Sequence, residues 1–585
     1  MIIGNYLKCL QGCIFLLVLT MGSMVTYAAE DAEIIEFQGD RYVIHVDRMN
    51  PDSEMTLLDV LNTCPEYLSL NGKMIDLNYT LRVGNIDLVM DLETFLAHVK
   101  ACEVERIHIC SNTSVAKAVG GTKGVIDVYY RNDVKTDGKV AVTGSTYGSG
   151  TVYADITNRS EKLTVQGYAM ARTSYGKAYP TDVYRMTERG VTENLHLNVD
   201  WQMSKNDRLV IKVFQLFSNT KQKLYNPDLT EAHSQYNRFL TTVFSYSHIF
   251  ENKAIFFAEA GNIYTRYSHN PIKLSDEYPY AFCEINTPLF TPDLWLMLGT
   301  ELDYENSWYI GQKRDQHMVA DVYAQFDYTH GPWVLTIGDR FRMMSFWSRQ
   351  YNVEDQSLWS HHRNNHSCLA SVGYKAGHHF FQTLFARRFY IPEVSDFLTD
   401  EKEATNFLKY DAGNFNTKLV HQGVLRYSYQ QKNFFLHTSV EGDWYSHLPG
   451  PNYMELGFRN SVYWKTGAWE FTLGANYYHQ YLSAGADTPS DRDNYVTLKV
   501  APVVHLPLGI RLSSTLLYSS RRSMDDRHAH LFASVKANKQ LGRHCNVFAE
   551  FHDMAGYTTG NWSQLTGQYQ NRAVSVGATI YPFRQ

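Results

Sequence analysis

From Lys139 to the end of the chain one unit recurs about every forty residues: a long connection, a strand, a tight turn and a second strand. The strands read as 9 to 16 residues and are rich in aromatic side chains. The turns run about three to seven residues, whereas the connections at the other end reach twenty or thirty. A sheet whose connections are short at one end and long at the other is the pattern of an outer-membrane β-barrel. A propeller would share the alternation within strands but not this asymmetry between the ends.

The short connections fall at 158–162, 204–208, 250–253, 287–293, 329–332, 375–379, 430–433, 465–467, 506–509 and 541–544. Most contain the Gly, Pro, Asn or Asp that tight turns require. With the chain entering and leaving on the turn side, ten such turns predict about 22 antiparallel strands. The first is expected at 139–147 and the last at 572–583.

Side-chain alternation says which face meets lipid. In 434–445, Phe434, Leu436, Val440 and Trp444 share one face, while His437, Ser439, Glu441 and Asp443 share the other. Trp469, Phe471 and Leu473 repeat the pattern against Glu470 and Thr472. Apolar outside and polar inside at period two fits a barrel in lipid with a wet lumen. The 41 Tyr and 30 Phe supply the aromatic girdles of such a wall. No mature stretch approaches the roughly 18 apolar residues of a spanning helix. A net charge of −6 points to no polyanionic partner, and nothing suggests nucleic acid.

Lys8, the apolar run 13–21 and the small residues around Ala28 and Ala29 read as a signal peptide over 1–29. Six cysteines remain beyond it. Cys102 and Cys110 flank a strand and would lie about 26 Å apart if extended, far beyond the ~7 Å limit of a disulfide. Cys64 remains a candidate partner for either. Cys283, Cys368 and Cys545 read as small hydrophobes on separate strands, and no cysteine spacing suggests a metal site.

A barrel of 22 strands is too wide for its own side chains to fill. Residues 40–132 have mixed periodicities and are expected to form a small α+β plug domain inside the lumen, after a leader at 30–39 and before the barrel at 138–585. A strand is expected at 41–46. Ser53 is placed to cap a helix carrying Leu57, Leu58 and Leu61, which Pro65 stops. A second helix from Asp91 would carry Leu92, Phe95, Leu96 and Val99, followed by strands at 104–109 and 125–130.

These elements resemble the plug of TonB-dependent receptors, in the form found in Bacteroidetes-type outer-membrane barrels. The resemblance rests on Thr56-Leu-Leu-Asp-Val-Leu61 with Pro65, Ile86-Asp-Leu-Val-Met-Asp91 and Val104-Glu-Arg-Ile-His-Ile109. It continues in the closing turn and strand around Gly120, Gly121, Gly124, Val125 and Ile126 with Arg131. In the barrel it includes Arg388 to Pro392, Gly413-Asn414 and Lys418-Leu419; Tyr581 and Phe583 resemble the terminal signal for the barrel-assembly machinery. Two family glycines are replaced, by Glu66 and Leu92, which alters the turns they permit. The chain also lacks the length and the N-terminal extension of the glycan importers.

The resemblance implies a receptor that imports a small-molecule ligand across the outer membrane. Its partners would be outer-membrane lipid and the TonB–ExbB–ExbD complex, and no cofactor is expected. The one candidate for TonB contact is Glu33-Ile34-Ile35-Glu36-Phe37, suited to strand addition. Its other reading is a first plug strand or a disordered leader. An open or plugged porin without energy coupling is the alternative function.

No nucleophile motif stands out among the 23 His, so enzyme activity is not expected. Trp359, His361, His362 and His366 are expected in the outer connection between barrel strands 11 and 12. Grouped imidazoles can hold a metal chelate or haem. A hydrated loop has the same composition.

Overall fold

The computed structural model describes most of residues 34–582; it does not extend to 1–33, 88–95, 111–123, 391–417 or 552–573, nor to shorter stretches. The signal peptide, Glu33, Cys64, Gly120, Gly121 and Phe583 therefore lie outside the described residues.

The chain opens with short elements. These are β1 (Ile35–Gln38), β2 (Arg41–His45), a 3-10 turn Val46–Met49, helix α1 (Leu57–Leu61), β3 (Ser69–Leu70) and β4 (Lys73–Met74). They continue with β5 (Tyr79–Val83), β6 (Ile86–Asp87), β7 (Val104–Cys110) and β8 (Gly124–Tyr130). Six of the strands form one sheet in the order β1-β2-β7-β8-β5-β6, antiparallel except where β5 runs parallel to β8. Tyr42, Ile44, Val46, Leu57, Val60 and Leu61 are wholly buried with Val104, Ile107, Ile126 and Val128. Ile34 and Ile35 belong to the same core, so the sheet begins ahead of residue 40.

Thr56 caps α1, while Ser53, the expected cap, lies outside the described residues. The Thr56 amide and hydroxyl both donate to Asp59 Oδ2 at 2.9 Å, and the Asp59 amide donates to Thr56 Oγ1 at 3.2 Å. This reciprocal arrangement satisfies free amides of the first turn, and it starts the helix three residues after the expected cap. Of the second expected helix, Leu96 and Val99 are described, and both are buried.

The barrel begins at β9 (Thr136–Ser145) and proceeds by hairpins. The first four are β10 (Gly150–Arg159) with β11 (Leu163–Ala178), β12 (Arg185–Gln202) with β13 (Asp207–Tyr225), β14 (Thr230–Ile249) with β15 (Ile255–His269), and β16 (Ile272–Pro288) with β17 (Leu294–Tyr309). Next come β18 (Lys313–His330) with β19 (Trp333–Gln350), β20 (Leu358–Ala376) with β21 (His379–Tyr390), and β22 (Lys418–Gln431) with β23 (Phe434–Ser446). The last are β24 (Tyr453–Thr466) with β25 (Trp469–Leu482), β26 (Asp491–Leu506) with β27 (Ile510–Ser519), and β28 (His530–Leu541) with β29 (Cys545–Phe551). Finally β30 (Val574–Ile580) pairs antiparallel with β9 and closes the ring.

The result is a closed barrel of 22 antiparallel strands, β9 to β30, around an α+β plug. All ten expected short turns join strands in the structure. At the β20–β21 turn Gly377 takes φ +59°, a conformation L side chains rarely adopt.

Strand ends differ from the expected ones. β9 starts at Thr136 and stops at Ser145, and β30 stops at Ile580, short of Phe583. Several strands reach 18 to 20 residues, because hairpin pairing continues into stretches expected as outer loops. The β13–β14 ladder, for example, runs unbroken to Tyr225 opposite Thr230. Past the apolar band both faces can be wet, so the period-two hydrophobic signal fades while backbone pairing persists.

The wall is inside-out relative to a soluble protein. Val322, Ile337, Leu425 and Leu473 are exposed on the outward face, while Asp321, Arg340, Ser439 and Asn476 are buried on the inward face. Gly299 lies on that inner face, where an added Cβ would collide with the Tyr323 ring.

Candidate functional site at the plug and barrel wall

The plug meets the wall toward its short-turn end. Phe380, Phe435 and Tyr463, each close to a short turn, complete the plug's apolar core. Tyr42 of β2 lies edge-on to Phe435 at 5.5 Å between ring centroids, and its hydroxyl is 2.5 Å from His437 Nδ1. Placing Tyr42 on a central plug strand and His437 on an inward strand position brings together residues 395 apart in sequence.

Three carboxylates of the plug reach cations of the wall. Asp59, at the first turn of α1, faces Arg511 of β27 at 3.8 Å and Lys536 of β28 at 4.0 Å. Burial alone would push the Asp59 carboxyl up. Lys536, Arg511 and the Thr56 hydrogen bonds together outweigh burial and bring its pKa down to about 2. Glu103 binds Lys139 of β9 at 2.9 Å, and Lys139 also contacts Asp155 of β10 at 3.1 Å. The Tyr153 hydroxyl donates to Asp155 at 2.7 Å. Beside this group Arg159 donates to the Arg131 carbonyl at 3.2 Å and lies over the Tyr130 ring at 5.2 Å. Glu36 on the sheet edge makes the third contact, to Lys375 at 4.0 Å, and also faces His45 at 3.2 Å.

A second polar group lines the inner wall. Asp321 of β18 is wholly buried and accepts from both Arg340 and Arg342 of β19; Arg342 Nε lies 2.6 Å from Oδ1. Arg340 also reaches Glu301 of β17 at 2.5 Å. Nearby, Ser245 and Tyr280 both donate to Glu259, at 2.7 and 3.1 Å. A buried carboxylate between two guanidiniums is stable only because each charge is matched. Such groups fix the shape of the lumen and are not arranged as a catalytic set.

The structure places the expected site residues as follows. Ile34 and Ile35 are buried; Ile35, Glu36 and Phe37 lie on β1, paired with Ile44, Val43 and Tyr42. Gly124, Val125 and Ile126 open β8 in the centre of the sheet. Tyr581 is buried just past β30, its amide donating to the His544 carbonyl at 2.9 Å.

Trp359, His361, His362 and His366 lie on strand β20, not in an outer connection. In register they stand opposite Ser348, Phe346, Ser345 and Phe341. Odd and even positions belong to opposite faces of a strand, so the four do not share one face. Among the described residues no three His, Cys, Asp or Glu are grouped to hold a metal ion. No disulfide joins Cys102 and Cys110.

Sequence reading passed over Tyr42, Asp59, Glu103 and the wall cations Lys139, Arg511 and Lys536. One signal was available: charges at inward positions of strands whose outward positions are apolar, as at Arg340 and Arg342.

No family model matches the sequence, and no curated relative does. Solved structures do resemble it. The FrpB iron transporter of Neisseria meningitidis (F3-3 variant) superposes with a TM-score of 0.68 at 11% identity, over 93% of this chain and all of that one. The siderophore receptor PirA of Pseudomonas aeruginosa gives 0.62 at 13% identity, over 93% of this chain and 100% of that one. The ferric-catecholate import receptor Fiu of Escherichia coli, in its closed form, gives 0.64 at 12% identity over 95% and 99%. These neighbours are receptors and transporters, and the chain shares with them the fold of a plugged 22-strand barrel.

Proposed function

We propose that the chain is a TonB-dependent outer-membrane receptor that imports a small ligand, with an iron chelate the first candidate. One observation carries this reading: a folded six-stranded sheet domain packs against the inner wall of a closed barrel. A diffusion porin has no use for such a domain. The structural neighbours, an iron transporter, a siderophore receptor and a ferric-catecholate importer, favour an iron chelate over a glycan.

In this reading the barrel is integral to the outer membrane and the short-turn end faces the periplasm. The outer membrane has no ATP, so work must arrive through a pulled segment. The segment 33–37 is the candidate for that role. Its strand β1 is at the sheet edge and, among the described residues, is paired in register only with β2. Tension on the N-terminus would peel β1 from β2 before reaching the rest of the core. Tyr581 and Phe583 keep the role of assembly signal.

The test uses cells in which this chain is the sole outer-membrane route for labelled ferric catecholate or ferric hydroxamate. Uptake is expected to fall to background when TonB is removed, while binding at the cell surface persists. Uptake that is indifferent to TonB would sink the energised reading. Binding of cobalamin or an oligosaccharide with none of either iron chelate would replace the ligand.

A further inference from the structure

The outward wall carries charge where a membrane barrel should be apolar. On β17 the outward positions between Leu296 and Trp308 are Leu298, Thr300, Leu302, Tyr304 and Asn306, none of them charged. On β19 the corresponding stretch lies between Trp333 and Trp347, and Asp339 stands within it. Asp339 is paired in register with Cys368 of β20, and Cys368 with Arg387 of β21. Apolar neighbours share that face, Ile337, Val322, Val372 and Phe385 all being exposed, and His421 stands next in register beyond Arg387. Asp339 lies 3.5 Å from His366, and both side chains are more than half exposed. Arg387 has no ion pair among the described residues. Ionisable groups that face the hydrocarbon are costly, and by default they mark an interaction.

The order along this row is negative, neutral, positive. Partners on adjacent strands are about 5 Å apart, so Asp339 and Arg387 flank Cys368 at equal distances. A twofold axis along the membrane normal in front of Cys368 brings opposite ends of the row together across the contact; strand tilt leaves them about 6 Å apart in height, within the reach of an Arg side chain. It sets Asp339 against the partner subunit's Arg387, Arg387 against the partner's Asp339, and the two Cys368 thiols against each other. We propose that the outward face of β19–β21 is the contact through which two copies of this chain pair in the outer membrane. The inference rests on the outer-membrane reading of the barrel, and self-complementary charge is what selects a second copy as the occupant.

The native cysteine provides the test. Isolated outer membranes are treated with copper(II)–phenanthroline; two thiols lose two protons, pass two electrons to copper(II), and form one S–S bond. A covalent species of twice the monomer mass is expected from the native chain. It should vanish in Cys368→Ser and survive in Cys283→Ser and Cys545→Ser, whose thiols lie on other strands. Asp339→Arg or Arg387→Asp alone should lower the cross-linked fraction by about fivefold, and the two together should restore it. A membrane-recovered protein that stays monomeric overturns the proposal. So does a covalent product of any other mass, or cross-linking unchanged by Cys368→Ser. Failure to recover the heat-modifiable chain in the outer-membrane fraction, measured first, overturns the location and the pairing with it.

Discussion

The plug and the barrel solve the folding problem in opposite ways within one chain. Plug strands are 2 to 7 residues long, and the plug's buried residues are mostly aliphatic, from Ile44 and Val60 to Ile107 and Val128. Barrel strands reach 20 residues, and much of what the barrel buries is polar, such as Asp321, Gln382 and Asn476. The plug is held by hydrophobic burial. The barrel is held by a ladder that closes on itself, leaving no edge unpaired. Dependence between the two is therefore one-sided. The barrel's backbone bonds need nothing from the plug, whereas the plug core is completed by Phe380, Phe435 and Tyr463 of the wall.

Removing residues 34–131 is the largest test of that asymmetry. The remaining barrel should still run as a heat-modifiable species. Its single-channel conductance should rise by about tenfold or more, because an empty lumen of this width is an aqueous channel. A barrel that no longer folds would show that the wall needs its plug after all, and an unchanged conductance would show that the plug does not close the lumen.

The same contrast explains what the sequence disclosed. The wall is repetitive and obeys a period of two, so turns such as 329–332 and 465–467, and the total of 22 strands, were legible. Where the period lost its hydrophobic contrast, strand was mistaken for loop, as at Trp359 to His366 on β20. The plug is not repetitive. Its β7 and β8 were readable from β-branched runs, but β5 was missed because its pairing to β8 and β6, not a local pattern, makes it a strand. The capping Thr56 sat one residue before the first leucine, where Ser53 offered an equally good signal. Tyr42 against His437 could not be read at all, since no local rule joins residues 395 apart.

At the seam between the two regions, burial should decide how much a charge matters. Asp59 is nearly buried, with two wall cations beside it. Asp59→Asn should weaken the plug by on the order of 2 kcal/mol at neutral pH, read as the urea concentration at which protease reaches it. The sign follows from a folded-state pKa of about 2, below the ordinary 3.8. A depressed pKa stabilises fully above about pH 4, and the advantage fades as pH falls toward 2. Native and Asp59→Asn chains should therefore converge in acid. A difference that persists at pH 2 would assign the effect to the Thr56 cap instead of the charge.

Glu36 should show the smallest effect, and it sharpens the comparison for that reason. Its carboxylate faces His45 at 3.2 Å and the Lys375 ammonium, but Lys375 is nearly half exposed and stands at 4.0 Å. Water screens such a pair, and exposed ion pairs contribute about 1 kcal/mol or less. Glu36→Ala should thus leave the plug's urea midpoint close to that of the native chain, and its dependence on salt should be slight. The proposed energised import requires this outcome, because in it β1 peels from β2 under tension and so is anchored less firmly than α1 is at Asp59. Should Glu36→Ala weaken the plug as much as Asp59→Asn, burial would not be what separates the two contacts, and β1 would be a fixed part of the plug instead of its detachable edge.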